Sequence, residues 1–125
     1  MRSATAEISI IDGITHVVLH GVVTAGTFVE IGNAKDYGHT ELACWDLRHA
    51  DLSDMNRQRF TDVAVGFKAG DHRRRTRAVV VVLKDHVDLR AFRLYTLIAE
   101  HSIGRDVPQH LTTSMDKALE LLETF

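Results

Sequence analysis

The sequence has one cysteine, one proline and no long apolar run among its 125 residues. A single cysteine, Cys44, excludes an intramolecular disulfide framework. The longest uninterrupted apolar stretch, Ala78–Leu83, is far shorter than the roughly 20 residues that span a bilayer, so we expect no integral membrane segment. The stretch Met1–Glu7 is too polar for the apolar part of a signal peptide, and we therefore expect a cytoplasmic protein.

An excess of charge of one sign is also lacking, because 15 basic and 17 acidic residues leave a formal net charge of −2. This balance gives no overall attraction to nucleic acid, which is not expected as a partner. The one basic cluster, Arg73–Arg75 with Arg77, is most simply a solvated turn, and a phosphate or partner contact is the alternative. No linker-like tract interrupts the chain, so we predict a single domain over residues 1–125.

The eight histidines do not form a recognisable metal motif. His16 and His20 share one face of a predicted strand, but four residues separate them by about 13 Å, too far to share one ion. No Cys-x-x-Cys or His-Glu-x-x-His spacing is present, so neither a metal nor a cofactor is expected. Cys44 lies in an apolar run beside Trp45, where it is best interpreted as a small hydrophobic residue. No catalytic residue is predicted, and an enzyme is the least favoured class.

Hydrophobic periodicity and turn signals predict an α/β domain. Two β-rich runs, Glu7–Ile11 and Thr15–Gly21, flank Asp12 and Gly13 and predict an antiparallel hairpin. Strands are then predicted at Glu41–Leu47, Ala78–Leu83 and Val107–Thr112, and helices at Thr24–Tyr37, Ser53–Gly70, Asp88–Gly104 and Thr113–Phe125. The order ββαβαβαβα indicates a mixed, mainly parallel sheet of about five strands with four helices. Pro108 cannot donate to a ladder, which predicts an edge position for the last strand.

Polar residues are predicted where the parallel strands end, at the edge where helix N-termini favour anions and partners. The candidate binding residues are Asp46, Arg48, Ser53, Asp54, Asp85 and His86. The simpler alternative is that Asp46 and Arg48 pair with each other, while Asp54 merely begins a helix. Both interpretations stay open on the sequence alone.

Three segments give the chain a likeness to a known family: Ala43–Arg48, Ala78–Tyr95 and Ser114–Leu122. Together with the opening hairpin, they make it resemble the bacterial SpoIIAA-like proteins of the STAS superfamily, relatives of anti-sigma-factor antagonists with a distant likeness to CRAL-TRIO domains. The resemblance extends over nearly the whole chain in the order of its elements. It implies the SpoIIAA/STAS-like fold and a role in regulation by protein binding.

True antagonists of this kind resemble one another in an Asp-Ser-Ser-Gly turn with a phosphorylatable serine at a helix N-terminus. The nearest match here is Leu52–Asn56, in which Asp54 aligns with the Asp. Met55 and Asn56 then occupy the serine positions, and Ser53 is the remaining hydroxyl, one or two residues away. The resemblance therefore does not carry a serine switch over to this chain.

Two functions from different classes follow. The first is a non-enzymatic regulatory module that binds a protein partner, or itself, near the start of the Ser53 helix. The second is a binder of a small anionic, nucleotide or lipid-like ligand at the carboxyl edge of the sheet. The broad apolar arc of the Asp88–His101 helix also suggests a homodimer interface at Leu94, Leu97 and Ile98, with deep burial of that arc as the alternative.

Overall fold

A computed structural model describes residues 4–125 as one mixed sheet with helices on both faces; Met1–Ser3, part of the polar leading segment, lie outside the described residues. In chain order the elements are β1 Thr5–Ile11, β2 Ile14–Val22, α1 Ala25–Gly32, β3 Leu42–Asp51, α2 Arg57–Asp71, β4 Ala78–Leu83, α3 His86–Leu97, a π-helical turn Ile98–Ile103, β5 Gln109–Thr112 and α4 Met115–Glu123. The predicted fold class, with five strands, four helices and the order ββαβαβαβα, is confirmed. Within residues 4–125, every helix is too short or too polar to cross a membrane.

The strands lie in the spatial order β1-β2-β3-β4-β5. Strands β1 and β2 are antiparallel, and β2 to β5 are parallel. The predicted hairpin is present: Asp12 and Gly13 both have positive φ, 52° and 76°, as a two-residue type I′ turn requires. Strand β5, which follows Pro108, lies at the edge of the sheet as predicted.

The two faces of the sheet are covered unequally. On the front face, α1, α2 and α3 bury an aromatic core that includes Phe28, Trp45, Phe60, Phe67 and Phe92. On the back face, α4 is the one helix among residues 4–125 that packs on the sheet, where Ala118 and Leu122 cover Cys44, Val80 and Val82. Strand β4 is buried on both faces along its whole length, which explains its continuous apolar sequence.

The starts of α2 and α3 differ from the prediction. Helix α2 begins at Arg57 with Asn56 as its N-cap, because the Asn56 side chain accepts a hydrogen bond from the Arg59 N–H at 2.9 Å. Ser53 is not the cap, because its N–H donates to Asp51 Oδ1 in a turn that follows a longer β3. Helix α3 is capped by Asp85, not Asp88.

Helix α1 is shorter than predicted and ends at Gly32, although Thr24 caps it as expected. The segment after it turns so that the Tyr37 hydroxyl reaches the core and accepts a hydrogen bond from Trp45 Nε1 at 2.9 Å. Helix α4 is capped by Ser114, one residue after the predicted Thr113. The stop at Gly104 is confirmed, since this residue has a φ of 75° that side-chain-bearing residues rarely adopt.

Candidate functional site

The candidate binding residues lie near the carboxyl end of the parallel strands, where all four α-helices begin. At this end the N-caps Thr24, Asn56, Asp85 and Ser114 each accept a hydrogen bond from the first turn of their helix. Each cap thus occupies one of the backbone N–H groups that would otherwise be open to an anion.

Asp46 and Arg48 form a closed pair on the back face of β3. Arg48 donates from Nε to Asp46 Oδ1 and from Nη2 to Oδ2, both at 2.9 Å, and its backbone N–H also donates to Oδ1 at 3.1 Å. Burial of Asp46, which is 6% exposed, raises the pKa of its carboxyl, but the bonds from Arg48 outweigh burial and hold that pKa below its ordinary value. The geometry supports the simpler interpretation of the sequence, in which Asp46 and Arg48 pair with each other.

Ser53 and Asp54 lie in the loop between β3 and α2. Ser53 is exposed and lies three residues before the N-cap Asn56. The Asp54 carboxylate pairs with Arg59, whose Nη1 lies 3.2 Å from Oδ1 and also donates to the Asp54 carbonyl. The residue at the helix N-terminus is thus an asparagine, which cannot be phosphorylated as a serine can.

Asp85 and His86 lie at the start of α3, close to the end of β4. His86 is exposed as the first residue of the helix, and Asp85 is its N-cap. Beside them Asp88 is buried, and its Oδ2 has no hydrogen bond among the described residues, although Lys84 Nζ lies 3.6 Å away. Burial first, and the charge of Asp85 next, raise the pKa of the Asp88 carboxyl against the opposing effect of Lys84.

The structure separates the six candidate residues into two groups. Asp46 and Arg48 belong to the back face of the sheet, whereas Ser53, Asp54, Asp85 and His86 lie around the N-termini of α2 and α3. The sequence analysis missed Asn56 and Lys84 in this region. The preference for Asn at N-cap positions could have indicated Asn56, and the i, i+4 spacing of opposite charges could have indicated that Lys84 approaches Asp88.

An apolar row runs along the exposed side of α3. Val87 is 65% exposed and Leu97 is 50% exposed, with Leu94 between them on the same side. Their spacing of seven and three residues keeps them on one face of the helix, and we call Val87, Leu94 and Leu97 the α3 row. The prediction was wrong for Ile98, which is buried in the core of its own chain, where the π-helical turn that it begins packs against α2.

Cys44 is buried on the back face beneath α4. Burial, and secondarily the negative charge of Asp46, raise the pKa of its thiol to about 11. Since the thiolate is the nucleophilic form, this thiol is unreactive at neutral pH. The interpretation of Cys44 as a small hydrophobic residue agrees with this environment.

The opposite, amino end of the sheet holds a buried ionic network that the sequence analysis missed. Arg105 is 4% exposed in its side chain and binds the Asp71 carboxylate through Nε and Nη2 at 2.8 and 3.0 Å. Its third nitrogen donates to the Tyr95 hydroxyl at 3.3 Å, and its guanidinium lies 4.8 Å from the centre of the Phe67 ring. These contacts tie the loop before β5 to the end of α2.

Arg74 completes this network, so the interpretation of Arg73–Arg77 as a solvated turn was wrong for that residue. Arg74 Nη1 also donates to Asp71, at 3.0 Å. Its Nε and Nη1 donate to the carbonyls of Gly32 and Phe67 at 2.7 and 2.9 Å, near the ends of α1 and α2. Arg74 is therefore a structural cation that binds helix C-termini.

The best-formed cavities among residues 4–125 lie away from the six candidate residues. The aromatic core encloses about 20 Å³ beside Tyr37, Tyr95 and Arg105, which is room for about one water molecule. Open grooves of about 400, 440 and 560 Å³ lie beside Gly104–Gln109, beside Arg73 and Arg74, and between Ile11 and Leu119 respectively. Their walls are formed by residues other than the six candidates.

Comparison with solved structures shows that the fold is similar to that of an anti-sigma factor antagonist. One similar solved structure is the crystal structure of an anti-sigma factor antagonist from Mycobacterium paratuberculosis, with a TM-score of 0.62 and 15% sequence identity. The superposition covers 96% of this chain and 94% of that chain. The suspected resemblance is thereby confirmed for the fold. No protein-family model matches the sequence, and comparison with curated proteins gave no match.

Proposed function

We propose that this chain is a non-enzymatic regulatory module of the cytoplasm that acts by binding a protein partner. The observation that carries the proposal is the α3 row, because apolar side chains on one face of a helix are unfavourably exposed to water unless a partner covers them. Val87 is at the end of the row nearest the Ser53–Asn56 loop, where the first candidate surface was predicted. The proposed surface therefore combines this loop with the α3 row.

The charged groups around this surface support a protein partner. Asp54 is paired with Arg59 and Lys84 approaches Asp88, so these charges are partly neutralised within the chain. An apolar centre with a polar rim is the usual anatomy of a protein interface. The similar solved structure is by its name an antagonist of an anti-sigma factor, and regulation through a protein target is the function that we carry over as a proposal.

The test is a two-hybrid screen of a genomic library from the encoding organism, followed by affinity measurement with the recovered partner. Leu97→Glu should weaken binding at least tenfold, about 1.4 kcal/mol, because it places a charge within the apolar row. The matched control is Leu119→Glu, the same change at an exposed leucine on α4, on the other face of the sheet. Circular dichroism must show that both variants fold.

Two results would contradict the proposal. One is a recovered partner whose affinity is unchanged by Leu97→Glu and by Val87→Glu, because the α3 row would then lie outside the interface. The other is a small molecule that native mass spectrometry finds bound to the purified chain and that stays bound in both Leu97→Glu and Val87→Glu. In that case the protein would be a ligand binder, and its site would lie elsewhere.

A further inference from the structure

Strand β1 has an open outer edge. It pairs with β2 on one side, and among residues 4–125 no strand lies on its other side. The type I′ turn makes Ile11 and Ile14 exchange both of their backbone hydrogen bonds, and antiparallel pairing then alternates along the ladder. The N–H and C=O groups of Ala6, Ile8 and Ile10 consequently point outward, away from β2.

This edge lacks the features that normally prevent strand addition. Thr5–Ile11 contains no proline and no lysine, its register with β2 is unbroken, and Glu7 is its only charge. Ile10 and Ile11 are each 54% exposed. Long, regular and apolar edges of this kind pair with other strands unless they are blocked.

A shallow groove accompanies the open edge on the front face. It measures about 270 Å³ and is formed by Ala4, Ala6 and Ile8 on the β1 side and by Thr27, Glu30, Ile31 and Ala34 on the α1 side. A strand added to β1 would direct every second side chain toward this groove. An edge strand beside a helix is a geometry that binds extended segments by strand addition.

We propose that the occupant of this edge is β1 of a second copy of the chain, added antiparallel about a two-fold axis at Ile8. In this register Ile8 faces its own equivalent, and Ala6 faces Ile10. All outward backbone groups of both strands are then used, giving about six hydrogen bonds. The two five-stranded sheets become one continuous sheet across the dimer.

The side chains of β1 fit this particular register. On the back face, the carboxylate of Glu7 lies opposite the hydroxyl of Ser9 from the second copy, so an acceptor meets a donor. A parallel, in-register pairing would instead stack Glu7 on Glu7. A shift of two residues would leave outward groups of Ala6 or Ile10 without partners. Self-complementarity of charge and backbone therefore selects a second copy.

The register can be tested by two substitutions of opposite charge at one exposed position. Ser9→Glu places a carboxylate opposite Glu7 at two equivalent points of the interface, so the dimer dissociation constant should rise at least tenfold. Ser9→Lys places an ammonium there, so the dimer should be retained or tightened. The measurement is sedimentation equilibrium of the full chain from micromolar to millimolar concentration, with urea unfolding to compare the folded stability of the two variants.

A second variant tests the backbone directly. Ile10→Pro removes an outward N–H that β2 does not use, so it should favour the monomer by at least tenfold while the chain still folds. Leu97→Glu is the control on the α3 row and should leave the dimer unchanged, which separates this proposal from the partner surface. A wild-type chain that is monomeric at millimolar concentration overturns the proposal, and so does a dimer that persists in both Ser9→Glu and Ile10→Pro.

Discussion

The two ends of the parallel sheet both carry charged residues, but the burial of these residues and the groups that they bind differ between the ends. At the amino end, where α1 and α2 terminate, Arg74 and Arg105 are buried and bind carbonyls and Asp71. At the carboxyl end, where the helices begin, Asp85 and Asp54 are exposed and bind to their own helix or its first turn. The helix dipole explains the sign at each end, since cations favour C-termini and acceptors favour N-termini.

This difference indicates which end is available to a partner. At the amino end, Arg74 and Arg105 each make several hydrogen bonds within the chain, so neither guanidinium can bind another molecule without losing bonds that hold the fold. The carboxyl end is closed only by local pairs on the surface, and the α3 row starts beside it. A binding surface at the carboxyl end can therefore stay exposed with little loss of folding stability.

Replacement of Arg105 by alanine is the largest predicted effect, because it tests whether the amino end is structural. Arg105→Ala leaves the partly buried carboxylate of Asp71 with Arg74 as its remaining cationic partner and removes a contact to the Phe67 ring. Removing one partner of a buried pair typically costs about 3–5 kcal/mol, and we expect a loss toward the lower end of this range because Arg74 still pairs with Asp71. Urea unfolding, followed by the fluorescence of the single tryptophan, Trp45, measures the loss.

The matched control for this substitution is Arg75→Ala, a neighbouring exposed arginine. Its free energy of unfolding should change by less than about 0.5 kcal/mol. Arg105→Lys keeps the charge but not the planar fork and should be intermediate. A loss below about 1 kcal/mol for Arg105→Ala would show that the amino end is not held by this network.

Much of the fold followed from local patterns in the sequence. The Asp12-Gly13 turn, the apolar run Ala78–Leu83 and Pro108 each have a direct structural meaning, and the hairpin, the buried strand and the edge strand were all predicted from them. Helix starts were less well predicted, because several capping residues lie close together before α2 and α3. Which one caps is decided by where the preceding strand stops, and β3 continues to Asp51 through its pairing with β2.

The site was harder to predict because it depends on contacts between distant residues. Arg105 is separated from Asp71 by 34 positions, and no local pattern connects them. The burial of Ile98 depends on packing against α2, which the periodicity of its own helix does not indicate. Asp46 and Arg48 were predicted correctly as a possible pair because they are two residues apart on one strand and therefore share a face.

Substitution of the N-cap at the carboxyl end is the next largest predicted effect. Asn56→Ala removes the acceptor of the Arg59 N–H and should destabilise the chain by about 1 kcal/mol, within a typical range of about 0.5–2 kcal/mol. Ser53→Ala removes an exposed hydroxyl outside the helix and should change stability by less than about 0.5 kcal/mol. Thermal and urea unfolding measure both. Equal losses, or a larger loss for Ser53→Ala, would place the start of α2 at Ser53.

The smallest predicted effects are on the pH dependence of folding stability, which should have opposite signs for Asp46 and Asp88 near the carboxyl end of the strands. The pKa of Asp46 is lowered by its bonds to Arg48, so its contribution is present above its unfolded pKa of about 3.9 and is lost as pH falls through the lower folded pKa. The pKa of Asp88 is raised by burial, so stability is lost as pH rises from about 3.9 through the higher folded pKa.

Asp46→Asn should therefore be less stable than the wild type at about pH 6, roughly two units above 3.9. Its stability should approach that of the wild type at about pH 2–3, roughly one to two units below 3.9. Asp88→Asn should be at least as stable as the wild type at pH 6 and lose any advantage below about pH 4. Both differences should be on the order of 1 kcal/mol or less, because each carboxyl has a partly exposed partner. Urea unfolding at several pH values measures them, and slopes of the same sign for the two variants would contradict these assignments.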